Sequence, residues 1–171
     1  MSPDALYLTK EEQLIYSLRA LYEGRSYKKF RMSKFEEYDL YAANKDFLLS
    51  KDLITFTDPS GKLLALKPDV TLSIVKSCKS SSEVVNKLYY NENVYRTSKS
   101  SKSFREIMQT GLECVGQIGP EEMSEVASLA YKSLRMISSQ SILKLSHVGI
   151  LQVYGMEQGC KDAEVGMDTF I

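Results

Sequence analysis

Histidine is almost missing from this chain: His147 is the only one among 171 residues. A multi-histidine metal site is therefore excluded, and a Ser/His or Cys/His triad is hard to place. His147 falls in a stretch that reads as a strand, and its role reads as structural. Cysteine is also scarce. Cys78, Cys114 and Cys160 lie far apart, without a CxxC or any metal-ligand spacing. Cys78 and Cys114 sit in apolar patterns and read as small packed hydrophobes. This usage, with no signal-peptide pattern, predicts a reducing, cytoplasmic compartment. No apolar run approaches the roughly 18 residues of a membrane span. An excess of one charge is missing too, because 22 Lys+Arg balance 22 Asp+Glu. Bulk electrostatics thus gives no basis for non-specific binding to nucleic acid or membrane surfaces. There is no internal repeat and no domain linker, and the only low complexity is a few serine clusters.

What is present suits one globular domain with a real core: 43% of residues are hydrophobic and 26% charged. Thr9-Lys-Glu-Glu12 has capping-box spacing, and Leu14, Ile15, Leu18, Leu21 and Tyr22 recur at helical spacing before Gly24. A short extended piece is expected around Tyr27–Met32. Leu53–Thr57 and Lys62–Lys67 flank Asp58-Pro-Ser-Gly61, which predicts an antiparallel hairpin. Pro68 should end the second strand, and Asp69 stands where an N-cap belongs for a helix over about Val70–Lys79. Lys87–Arg96 and Ser103–Gly116 read as antiparallel partners around a polar loop, Thr97-Ser-Lys-Ser-Ser-Lys102. Gly119-Pro-Glu-Glu122 opens a helix with the apolar stripe Met123, Val126, Ala127, Ala130, Tyr131, Leu134 and Ile137. Ile142–Val148 reads as a further strand, with a short helix after it. The fold class is α+β, a mainly antiparallel sheet flanked by helices.

One strand stands out. In Phe104-Arg-Glu-Ile-Met-Gln-Thr-Gly-Leu-Glu-Cys-Val-Gly116 one face carries Met108, Thr110, Leu112 and Cys114, a core-like set. The other carries Arg105, Ile107, Gln109, Gly111, Glu113 and Val115. Such a face can be merely solvated. Gly111 argues for close approach by a ligand or another backbone, because glycine weakens a strand interior.

Leu64-Ala-Leu-Lys-Pro-Asp-Val-Thr71, then Leu88-Tyr-Tyr-Asn-Glu-Asn-Val-Tyr-Arg96, then Phe104–Glu113 together resemble the histidyl-tRNA synthetase-like core. That core is shared by class II histidyl-tRNA synthetases and the regulatory subunits of ATP phosphoribosyltransferase. The resemblance spans roughly residues 25 to 150 and implies a partial class II synthetase-like domain, a single domain over 1–171 that is incomplete at its C-terminal end. It places Gln109 and Glu113 on the floor of a histidine pocket, Glu113 taking the ammonium group and Arg96 gripping carboxylate or phosphate oxygens. Gly111 would leave room for the ligand, Asp69 and Thr71 belong to the rim segment, and Arg105 is a further candidate. Asp69 serves equally as a helix cap, and Arg96 as a surface ion-pair partner.

Within the family, synthetases usually carry Glu where this chain has Asp69, and a Glu two residues past the motif arginine, here Ser98. Lys67 replaces the usual Arg, and Ser33 the proline of the first class II motif. Neither the third class II motif nor an Arg-Gly-Leu-Asp-Tyr-Tyr type segment is found. The resemblance therefore implies a non-catalytic regulatory subunit that partners the short-form ATP phosphoribosyltransferase catalytic subunit in the first step of histidine biosynthesis and in histidine feedback. The alternatives are a truncated histidyl-tRNA synthetase domain, which would be an enzyme, and a paralogue binding an amino acid for another purpose. The expected partners are that catalytic subunit, histidine, and a second copy through about Phe30–Tyr41. No metal, cofactor, membrane or nucleic acid is expected.

Overall fold

The computed structural model describes residues 7–44, 53–78, 84–98 and 103–145. The chain divides into two compact units, Met1–Ser141 and Ile142–Ile171. Every helix and strand described lies in the first.

Helix α1 runs Lys10–Glu23, started by the capping box the sequence shows. Thr9 Oγ1 accepts from the Glu12 amide at 3.2 Å, and the Glu12 carboxylate accepts from the Thr9 amide at 2.7 Å. Two of the helix's orphan donors are thereby satisfied. Strand β1, Lys28–Lys29, follows. It pairs in parallel with β5, Asn86–Thr97, which pairs antiparallel with β6, Phe104–Val115. The order β1-β5-β6 makes one sheet.

A second sheet is built from β2 (Phe35–Glu37), β3 (Thr55–Thr57) and β4 (Leu63–Leu66), in the order β2-β4-β3, both pairings antiparallel. The turn between β3 and β4 is fixed by Asp58, whose Oδ1 accepts from the Ser60 and Lys62 amides at 2.8 and 2.9 Å. Gly61 adopts φ 86°, a backbone state that glycine reaches without strain. The sequence pattern pointed to one mainly antiparallel sheet, whereas the structure has two sheets joined at Lys67. Its amide donates to Lys34 at 3.1 Å and its carbonyl accepts from Tyr95 at 2.8 Å. Pro68, which has no amide hydrogen, stops the ladder there.

Helix α2 (Tyr38–Ala42) and helix α3 (Thr71–Cys78) pack near the second sheet, where Tyr41, Ala65 and Leu72 form a small core. Val70, just before α3, and Ile74 within it pack with Tyr90 and Val94 of β5. Helix α4, Pro120–Ile137, begins with a proline that needs no amide partner and with Glu122 accepting from the Gly119 amide at 2.9 Å. It packs with α1 on the opposite face of the first sheet, around Leu18, Tyr22, Tyr27, Tyr89 and Leu129. The sheet is therefore sandwiched, α3 on one face and α1 with α4 on the other. Among the described residues no helix is long and apolar enough to cross a membrane.

Two expectations fare differently. Residues 142–145 are irregular and not a strand, since they have no ladder partner among the described residues. The rest of that segment, His147 and the helix expected after it, lie outside the described residues, as does Cys160. Short β2 and α2 were not anticipated, because three and five residues carry too little periodicity to read.

Leu129 is 1% exposed and central to the α1–α4 side. Leu129→Ala should lower unfolding free energy by about 2–4 kcal/mol in urea denaturation, through lost transfer energy and a residual cavity.

Candidate functional site

The register of β5 and β6 builds the site. Tyr90 stands opposite Gly111, Glu92 opposite Gln109, Arg96 opposite Arg105 and Leu88 opposite Glu113. Strand alternation turns all of these toward α3. Arg96 Nε donates to the Pro68 carbonyl at 3.0 Å, just before the N-terminus of α3, and a terminal guanidinium nitrogen lies 3.5 Å from Gln109 Oε1. Gln109 Nε2 in turn lies 3.5 Å from the Tyr90 hydroxyl. These last two contacts are at the long limit of hydrogen bonding, so the groups remain available to a ligand. At the other end Thr71 Oγ1 donates to Glu113 Oε1 at 2.7 Å. Asp69 Oδ1 accepts from the Leu72 amide at 3.3 Å and caps α3, as its place in the sequence indicates.

Asp69, Thr71, Arg96, Gln109, Gly111 and Glu113 are thus brought together around the first turn of α3. Arg105 is exposed at the rim, with no acid partner among the described residues. Its guanidinium shares the hairpin end with that of Arg96, and like charges directly opposite are unfavourable unless an anion intervenes. Among the described residues no cluster of His, Cys, Asp or Glu could hold a metal ion.

The electrostatics are asymmetric. Burial pushes the Asp69 carboxyl up from its ordinary range, against the pull of the Leu72 amide and Arg96. Burial also pushes Glu113 up; the Thr71 hydroxyl pulls it back, and Asp69 adds to the upward push. Two carboxyls that resist ionisation side by side would be relieved by a cation between them. Burial, followed by the nearby Glu113 and Asp69, pushes the Tyr90 phenol up to about 12. One end of the cluster offers a forked guanidinium and the other the Glu113 carboxyl, with Asp69 in electrostatic reach of both. An α-amino acid zwitterion has the complementary pair of charges.

Gly111 has a more local reason than the sequence suggested. A Cβ there would sit 2.6 Å from the Tyr90 hydroxyl. The glycine makes room for its cross-strand tyrosine, and the space expected for a ligand is filled by that phenol. Tyr90, Lys67 and Glu92 escaped the sequence reading as site residues. Lys67, 1% exposed, donates to Glu92 at 2.5 Å, and Glu92 lies across the ladder from Gln109. The signal for Tyr90 was its position opposite Gly111; for Lys67, a charge at the end of an apolar strand. Both needed the register before they could be used.

A long antiparallel hairpin whose first strand ends in the arginine, crossed by a helix that opens on an acid and a threonine, defines a class II synthetase-like core. The chain belongs to the histidyl-tRNA synthetase family, whose family model matches residues 6–165. The histidine–tRNA ligase of Methanocaldococcus jannaschii is 30% identical over 139 residues, covering 79% of this chain and 33% of that protein. The ATP phosphoribosyltransferase regulatory subunit of Oceanobacillus iheyensis is 25% identical over 144 residues, covering 82% and 35%. Among solved structures, an ATP phosphoribosyltransferase regulatory subunit/histidyl-tRNA synthetase from Bacillus halodurans has the same fold, with a TM-score of 0.61 and 24% identity over 72% of this chain and 32% of that one. The ATP phosphoribosyl transferase (HisG:HisZ) complex from Thermotoga maritima contains a chain that matches with a TM-score of 0.55 at 20% identity, covering 71% and 40%. The chain spans about a third of the length of the curated relatives it matches.

Gly111→Ala should destabilise the fold by about 1–3 kcal/mol by pushing the buried Tyr90 ring. Combined with Tyr90→Ala, the cost should be less than the sum of the two single changes, which a double-mutant denaturation cycle reads directly.

The raised carboxyls set a pH dependence. Asp69 and Glu113 bind protons more tightly folded than unfolded. Their contribution to stability is therefore fully present below their unfolded values, near 4, and is lost as pH rises through the folded ones. Glu113→Gln should gain stability relative to the parent as pH is raised from about 4 to 7, read from urea midpoints at each pH.

Proposed function

We propose that this chain is part of a regulatory subunit of ATP phosphoribosyltransferase, acting with the short-form catalytic subunit in the first step of histidine biosynthesis and in histidine feedback. The carrying observation is that Arg96, Asp69 and Glu113 gather around the first turn of α3, Arg96 bonded to the Pro68 carbonyl, Glu113 to Thr71, and Asp69 within electrostatic reach of both, so that both signs of charge an amino acid needs are present. Feedback of this kind requires histidine to bind one state of the complex better than another. The Oceanobacillus relative and the Thermotoga complex support the partnership. The cytoplasm is the compartment this role implies.

Departures from a synthetase support a non-catalytic role. Asp69 is one methylene shorter than the usual Glu, and its carboxylate caps α3. A displacement of about an ångström matters at a reacting centre. Ser98 stands where an acid near adenine belongs. The rings of Phe35 and Phe56 meet edge-on at 5.6 Å, each more than a third exposed, on the second sheet. They support a homodimer through the Phe30–Tyr41 region, within a hetero-oligomer. One observation favours the second reading, a histidyl-tRNA synthetase catalytic domain: the relative at 30% identity is a histidine–tRNA ligase.

The full-length gene product should show no histidine-dependent ATP–pyrophosphate exchange above background, and should co-purify with a short ATP phosphoribosyltransferase. Robust exchange together with failure to retain that partner would overturn the regulatory reading in favour of the ligase.

A further inference from the structure

The face of the first sheet opposite α3 carries a feature that the proposed function does not use. Between α1 and this face lies a cleft of about 260 Å³. Its walls are the rings of Tyr16, Tyr22 and Tyr89, with Ile15 beside them. Its floor is polar. Asn91 and Thr110, cross-strand partners in the β5–β6 ladder, are both half-buried there. Thr110 belonged to the face that read as an ordinary core set, so its setting needs a separate reason.

The hydrogen bonding is incomplete. Thr110 Oγ1 donates to Asn91 Oδ1 at 2.8 Å, which uses the threonine's only hydrogen and leaves the asparagine amide nitrogen with no partner among the described residues. Half-buried donors left unused in a cleft favour an occupant that can accept from them. The rim is cationic. Lys29 stands beside Tyr89 in the β1–β5 pairing, on the same face, near enough to Glu23 to stabilise its charge but in no direct ion pair among the described residues. Arg19, also on the rim, is ion-paired to Glu23 at 2.9 Å. Glu23 also accepts from the Tyr89 hydroxyl at 2.6 Å. Glu12, the acid lining the cleft, is turned back onto the Thr9 amide and hydroxyl by its capping role. The cleft therefore has aromatic walls, a spare amide donor on its floor and, at its mouth, Lys29 outside any direct ion pair.

We propose that this cleft is a second small-molecule site, separate from the cluster around α3, for a planar aromatic acid. The ring lies against the tyrosine walls, a polar substituent on it accepts from Asn91, and its carboxylate meets Lys29. The site does not depend on the histidine reading, since it shares no residue with the α3 cluster.

The test is titration of 4-hydroxybenzoate into the isotopically labelled chain, followed by backbone amide shifts, with 4-hydroxybenzamide as the uncharged control. Saturable shifts at Lys29, Asn91 and Thr110 are expected from the acid, with binding at least about fivefold weaker for the amide. Lys29→Gln, an exposed change that leaves the core intact, should weaken binding about threefold or more, Thr110→Val should also weaken it, and Glu113→Gln should leave it unchanged. Absence of saturation up to about 10 mM, equal binding of acid and amide, or loss of binding in Glu113→Gln but not in Lys29→Gln would overturn the proposal.

Discussion

The constraint on which this molecule depends is the register of the β5–β6 ladder. Twelve residue pairs, from Asn86 opposite Val115 to Thr97 opposite Phe104, decide which side chains meet α3 and which meet α1 and α4. A slip of one residue would send Gln109 and Glu113 to the α1 side and bring Met108 and Leu112 under α3. Tyr90 and Gly111 help to pin that register. The ring needs a partner without a Cβ, and Gly111 is the glycine on β6. Both clusters described above, one on each face, follow from this single alignment.

The second constraint is the junction at Lys67. Its backbone closes hydrogen bonds to Lys34 on one side and Tyr95 on the other, so it belongs to both sheets. Its side chain pairs with Glu92 while almost fully buried. A buried ion pair of this kind adds little net stability, because desolvation offsets most of the attraction, yet breaking it leaves an uncompensated charge. Here it fixes the end of β4 beside the site, and the next two residues, Pro68 and Asp69, deliver a carbonyl to Arg96 and a cap to α3. Position and chemistry are thus set by one short segment.

Much of this could be read from the residues. The capping box at Thr9, the Asp58–Gly61 turn, Asp69 as cap, and the long hairpin all follow from local rules that act within a few positions. The long hairpin also carried the family resemblance, since its arginine, glutamine, glycine and glutamate recur at strand spacing. What escaped was non-local. Phe35–Glu37 becomes a strand through pairing with Leu64–Leu66, nearly thirty positions away. Thr110 looked like core because alternation reports the face and not what covers it; α1 leaves a cleft over that part of the sheet. Gly111 was read for a ligand when its nearest neighbour is Tyr90, a relation that only the ladder register reveals.

The central physical claim is that the cluster around α3 is complementary to a zwitterionic amino acid. Calorimetric titration of L-histidine into the full-length protein tests it most directly, comparing the parent with Glu113→Gln and Arg96→Gln at pH 7. Saturable heat with a 1:1 stoichiometry is expected, weakened about tenfold or more by either change, the scale of one lost charge-assisted contact. Histidine binding of equal strength in the parent and both variants would contradict it, as would no binding at all.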